Sequence, residues 1–131
     1  MTRLHHVGIV VSDLVRYESN MLFEKKLIEV IDPVQKAKLS LYSNFSDSFV
    51  ELIQPLEESS FTWNALQKNG NHVHHFCYQE KTYSEVLALA AKHRLIEVLK
   101  PVPALLFDNK LVCFYFNRNK QLIEFLINPE L

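Results

Sequence analysis

The sequence predicts an α+β fold built from two βαβββ modules. Three observations carry this. Short runs of apolar residues alternate with polar ones, as half-buried strands require. Two segments with helical spacing each follow the first strand of a set. Four segments of the first half recur in the second half in the same order. K-L-I-E-V-I-D-P-V (Lys26–Val34) matches R-L-I-E-V-L-K-P-V (Arg94–Val102) at an offset of 68, and H-H-V at His5 matches H-H-F at His74 at 69. K-L-S-L-Y at Lys38 aligns with K-L-V-C-F at Lys110 at an offset of 72, and V-E-L-I at Val50 with I-E-F-L at Ile123 at 73. The slow drift of the offset fits a few inserted loop residues, so one module is used twice.

Taken in order, residues 4–11 read as a strand. Ser12 or Asp13 caps the helix that follows, whose apolar face is Leu14, Tyr17, Met21 and Leu22. Leu27–Pro33 reads as a strand stopped by proline. Lys38–Ser43 and Phe49–Gln54 are two more strands, joined by the turn-rich Asn44–Ser48. Ser59 or Ser60 caps a short connector helix that Trp63 and Phe61 pack down, and Asn69-Gly70 ends it. His72–Gln79 opens the second set. Thr82 and Glu85 form a T-x-x-E capping box for a helix with Tyr83, Val86, Leu87 and Ala90 on its apolar face. Leu95–Pro101, Lys110–Asn117 and Gln121–Ile127 complete the strands. The expected organisation is one domain over 1–131, with modules at about 1–57 and 71–131 and a connector at 58–70.

Composition bounds the function. A hydrophobic fraction of 48% over 131 residues supports a packed core, and a net charge of −1 with no basic cluster gives no footprint for nucleic acid. The apolar runs are too short to span a membrane, and no signal peptide precedes the first strand, so a cytoplasmic protein is expected. Cys77 and Cys113 both lie in apolar strand patterns and read as reduced, buried thiols. Gly8 and Gly70 are the only glycines, which excludes a glycine-rich phosphate loop.

The repeat also aligns chemistry. His6 matches His75 and Glu51 matches Glu124. Strand alternation puts His6 on a face with Gly8, and His75 on a face with Cys77; each small neighbour leaves space before the imidazole. Glu51 and Glu124 each interrupt an apolar strand, where a carboxylate faces solvent or needs a partner. A divalent metal is such a partner. Two imidazoles and two carboxylates suit Zn, Ni, Co, Mn or Fe, with positions left open for water or substrate. Glu29 and Glu97 are repeat-matched too, but read as outward-facing. His5, His72, His74 and His93 read as lying on the other strand face or at a helix end.

These motifs resemble those of the vicinal oxygen chelate superfamily, which holds glyoxalase I, methylmalonyl-CoA epimerase, extradiol dioxygenases and bleomycin-resistance proteins. The resemblance covers the whole chain. H-V-G-I at His6, H-F-C-Y at His75, V-E-L-I at Glu51 and I-E-F-L at Glu124 match the family's ligand strands. The run from Val50 to His75 is similar to the epimerase stretch of E-L-L-x-P-L, a short helix and G-x-x-H-H. The resemblance implies a glyoxalase-like curved mixed sheet around a central cavity, one divalent ion held by His6, Glu51, His75 and Glu124, and a homodimer. Two departures bear on substrate and mechanism. Asp32–Ala37 lacks the second glutamate of the epimerases, which argues against two-base epimerisation. Ala104–Asp108 lacks their glycine-rich turn, which argues against a CoA thioester.

The expected function is a metal-dependent isomerase, epimerase or lyase that removes a proton next to a carbonyl in a small carbonyl or acyl substrate. Glu124 is the first choice of base and Glu51 the second. The alternative is a metal-free small-molecule binding protein of the drug-resistance type. A ring-cleaving dioxygenase is a third reading, against which a glutamate at position 51 speaks.

Overall fold

A computed structural model describes residues 2–131 of the chain. The elements run β1 (Arg3–Val10), α1 (Leu14–Ser19), β2 (Lys25–Asp32), β3 (Ala37–Ser43) and β4 (Phe49–Pro55). After α2 (Trp63–Asn69) come β5 (His72–Glu80), α3 (Tyr83–His93), β6 (Ile96–Pro103), a 3-10 turn (Leu105–Phe107), β7 (Leu111–Phe116) and β8 (Leu122–Ile127). The order β-α-β-β-β occurs twice with a short helix between, as the internal repeat predicts. Parallel and antiparallel strand pairs are both present, so the class is α+β with mixed pairing.

The chain forms two compact units. One is Val7–His74; the other joins the residues up to His6 to His75–Leu131. In the Val7–His74 unit the strand order is β2-β3-β4-β1, with β2, β3 and β4 antiparallel. α1 starts where the Asp13 side chain accepts the Arg16 N–H at 3.1 Å. It is shorter than its apolar spacing suggests. Ser19 Oγ and Asn20 Nδ2 both donate to the Arg16 carbonyl, at 2.7 and 3.2 Å, and so draw the chain out of the helix. Leu14 is buried with Val11, Tyr42 and Leu52; Met21 packs from the following loop, and Leu22 is exposed.

The connector differs from expectation at its start. Thr62, not Ser59 or Ser60, precedes α2. The Ser60 hydroxyl is used otherwise: it donates to the Lys36 carbonyl and accepts the Glu57 N–H. Leu66 anchors α2, whereas Phe61 is 70% exposed and does not hold it down. Gly70, at φ 66°, ends the helix with its N–H on the Leu66 carbonyl at 2.8 Å.

In the second unit the order is β1-β5-β8-β7-β6, where β5 and β8 are parallel while β8 with β7 and β7 with β6 are antiparallel. Thr82 Oγ1 caps α3 by accepting the Glu85 N–H at 3.2 Å, and the Glu85 carboxylate accepts the Lys81 N–H at 3.1 Å. The box therefore closes one residue early. Val86 and Ala90 bury α3 against Cys113, Tyr115, Phe125 and Ile127. Leu89 joins that contact while Leu87 stays exposed, because the buried stripe runs through 86, 89 and 90. Removing the Phe125 ring from this core would cost about 3–5 kcal/mol.

Candidate metal centre

The pairing that buries α3 also aims the chemistry. Cys113 opposes Phe125 and Tyr115 opposes Ile123, and these residues face the helix. Alternation then turns Glu124 to the helix-free face of β8. Glu124 is the register partner of Phe114 on β7 and of Cys77 on β5. His75, two residues before Cys77, shares that face. His6 comes from the adjacent β1. All three are buried: His6 at 0%, His75 at 4% and Glu124 at 4% exposure.

Their donor atoms form a tight triangle. His6 Nε2 lies 3.0 Å and His75 Nε2 3.1 Å from Glu124 Oε1, and the two nitrogens are 3.2 Å apart. The distances are those of hydrogen bonds, yet Glu124 Oε1 is fully buried and no N–H among the described residues is aligned on it. Three buried donors facing one another, one of them unsatisfied, are expensive unless something sits between them. Neighbouring ligands on an octahedral ion with bonds of about 2.1 Å lie roughly 3.0 Å apart. The triangle fits a divalent ion in edge length and in chemistry. Burial would raise the Glu124 pKa, but the contacts with His6 and His75 outweigh it and hold the carboxyl well below its usual range. It is thus ionised, as a ligand must be.

Glu51 lies in the Val7–His74 unit and is 5% exposed. It opposes Leu41 on β3, while its neighbours Val50 and Leu52 turn to Tyr42 and Leu14 under α1. Within its own unit, Glu51 thus lies on the strand face turned away from α1, as Glu124 lies on the face turned away from α3 in the other. Glu29 instead meets Lys26 and Lys38 at the surface, as an outward-facing strand residue does.

Three residues around the triangle escaped the strand reading. Phe107 stacks on the His6 ring at 5.1 Å and 23°, and Phe114 meets His75 edge-on at 5.9 Å. Phe107 is carried by the 3-10 turn, which no periodicity announces. Phe114 was legible as the cross-strand partner of Glu124 once register was known. The third is His5, set aside by alternation. Its Nδ1 reaches to 2.8 Å from His6 Nδ1. His72 points elsewhere, onto the Gly70 carbonyl at 2.7 Å. A surface cavity of about 380 Å³ lies on α1 among Ser12, Asp13, Arg16, Tyr17, Asn20, Met21 and Asn71, and includes none of the four matched residues.

Comparison with known proteins agrees with this architecture. A profile described as Glyoxalase/Bleomycin resistance protein/Dioxygenase superfamily matches residues 5–114. The hypothetical protein BH1468 from Bacillus halodurans C-125 is 25% identical, with a TM-score of 0.85 over 99% of this chain and 96% of that one. Methylmalonyl-CoA epimerase from Mycobacterium tuberculosis is 21% identical, with a TM-score of 0.75 over 95% of this chain and 87% of that one. A Streptomyces coelicolor methylmalonyl-CoA epimerase in complex with 2-nitronate-propionyl-CoA is 21% identical, with a TM-score of 0.79 over 99% and 96%. At that identity the epimerases share the fold. Comparison with curated protein sequences gives no match. The profile spans most of the chain and includes the strands that carry His6, Glu51 and His75, so the chain belongs to the Glyoxalase/Bleomycin resistance protein/Dioxygenase superfamily.

Proposed function

We propose that this chain is a metal-dependent enzyme that removes a proton from the carbon next to a carbonyl, as an isomerase or lyase. The observation that carries the reading is the unsatisfied, buried Oε1 of Glu124 between the Nε2 atoms of His6 and His75. A metal-free binding protein would have no use for so costly an arrangement. In this reading His6, His75 and Glu124 hold one divalent ion, and Glu51 is the fourth ligand by the repeat that matches it to Glu124. When bound, such an ion supplies Lewis acidity toward a carbonyl oxygen.

The chain's own residues supply the rest. The carboxylate of Glu124 is the proposed base: it takes the proton at an oxygen and returns it, with Glu51 the second choice. The rings of Phe107 and Phe114, packed against His6 and His75, keep water from the imidazoles. A single base favours a suprafacial transfer on one side of the substrate. Support comes from Asp32, the only carboxylate in the run 32–37. Its Oδ1 accepts the N–H groups of Val34 and Gln35 and its Oδ2 the Gln35 side chain, so it is committed to its turn. The substrate class is a small carbonyl compound or acyl thioester; the Streptomyces coelicolor epimerase in complex with 2-nitronate-propionyl-CoA is the reason to assay acyl thioesters, and the missing glycine-rich turn at Ala104–Asp108 the reason to assay compounds without CoA beside them.

The test is elemental analysis of purified protein, followed by solvent-deuterium exchange into acyl-CoA and hemithioacetal substrates at varied metal. Metal-dependent exchange is the expected result. No bound metal and no exchange with any carbonyl substrate would overturn the reading.

A further inference from the structure

Resting on the metal reading above, we propose that His5 is a positioning residue that fixes the tautomer and ring orientation of His6. The observation is the Nδ1–Nδ1 separation of 2.8 Å between the two imidazoles. At that distance one nitrogen must donate and the other accept. The opposite edge of His6 decides which. Its Nε2 lies 3.0 Å from Glu124 Oε1 and 3.2 Å from His75 Nε2, among the atoms that would hold the ion. An imidazole nitrogen that binds a metal offers a lone pair, so in the metal reading Nε2 carries no proton. The proton then belongs on Nδ1, where it is donated to His5 Nδ1. Imidazole ligands depend on a partner of this kind to hold their tautomer.

His5 is itself held in place. Its ring meets Phe107 edge-on at 5.4 Å and 87°, while the same phenyl stacks on His6. The donor atoms of His5, His6 and the buried Cys77 lie within 4.8 Å of one another. One aromatic ring thus clamps both imidazoles in a fixed mutual orientation. Packing alone would be served by any flat ring at position 5; the acceptor nitrogen is what a phenyl lacks.

The experiment compares wild type with His5→Phe, which keeps the ring, and His5→Asn, which keeps an acceptor near the Nδ1 position. Imidazole nitrogen NMR of the metal-free proteins reads the His6 tautomer. Competition with a chromophoric chelator reads zinc affinity. We expect His6 to carry its proton on Nδ1 in wild type and in His5→Asn. In His5→Phe that preference is lost and zinc binds about tenfold to a hundredfold more weakly. A wild-type His6 protonated on Nε2, or a His5→Phe protein equal to wild type in tautomer, overturns the inference. If wild type takes up no zinc, the metal reading fails by itself and the NMR arm still decides the role of His5. If His5→Phe does not fold, the wild-type and His5→Asn tautomers decide it.

Discussion

Glu124 on β8 is the direct parallel partner of Cys77 on β5, and this pairing brings the carboxylate to His75, two residues upstream. Register, rather than any loop, sets the triangle. A slip by one residue would turn Glu124 into the α3 core and Phe125 out of it, so burial of Phe125 holds the carboxylate in place. The core and the proposed centre are two faces of one strand.

Metal should therefore stabilise the fold. Protein saturated at about a hundredfold over Kd gains about 2.7 kcal/mol, which for a chain of this size is about 10 °C in Tm. Thermal unfolding before and after chelator treatment, with zinc or nickel added back, measures it. An unchanged Tm on stripping and reloading would count against a buried site.

The cap of α3 gives a test that does not touch the centre. Thr82→Ala removes the acceptor of the Glu85 N–H and should cost about 1 kcal/mol. Urea unfolding should show the midpoint lowered with an unchanged slope. Thr82→Asn should recover most of the loss, and metal content should stay at the wild-type level in both.

Alkaline pH should loosen the fold through three buried groups. Burial pushes Tyr42 and Tyr115 up from 10.0 to about 12, and burial with Glu124 nearby pushes the Cys113 thiol from 9.0 to about 12. Each folded-state value is raised, so between about pH 9 and 12 the unfolded chain binds fewer protons than the native one. Stability is fully present below the unfolded values and falls as pH rises toward 12. Urea midpoints at pH 7, 9 and 10.5 should decline in that order, and Cys113 should resist alkylation at pH 8 until the protein unfolds.

The order of strands and helices along the chain was legible in the sequence, because duplication repeats each pattern, and the same repeat pairs His6 with His75 and Glu51 with Glu124; alternation is clear in β1 but lost in β2 and β6, whose residues are mostly exposed. Element ends were less legible. Leu22 and Leu87 satisfy helical spacing but lie exposed, since side-chain hydrogen bonds at Ser19 and Asn20 end α1 and the α3 stripe runs through Leu89 instead. Phe107 and the approach of His5 to His6 depend on a 3-10 turn and on ring packing, neither of which has a period to read.

The sharpest prediction concerns Glu124, for which binding and proton transfer separate. Glu124→Gln keeps an oxygen that can coordinate a divalent ion but loses the carboxylate that can accept a proton. Metal content should fall only in part, while kcat drops by on the order of 10²-fold or more. His75→Ala should lose metal and activity together, because it removes a corner of the triangle and leaves the Glu124 charge buried with one partner fewer. Glu51→Gln should fall between them: weaker metal binding with exchange chemistry retained if Glu124 is the base. Solvent-deuterium exchange at the substrate's acidic carbon reads the proton step directly. Full exchange in metal-loaded Glu124→Gln, together with its loss in Glu51→Gln, would move the base to Glu51 and leave Glu124 as a ligand alone.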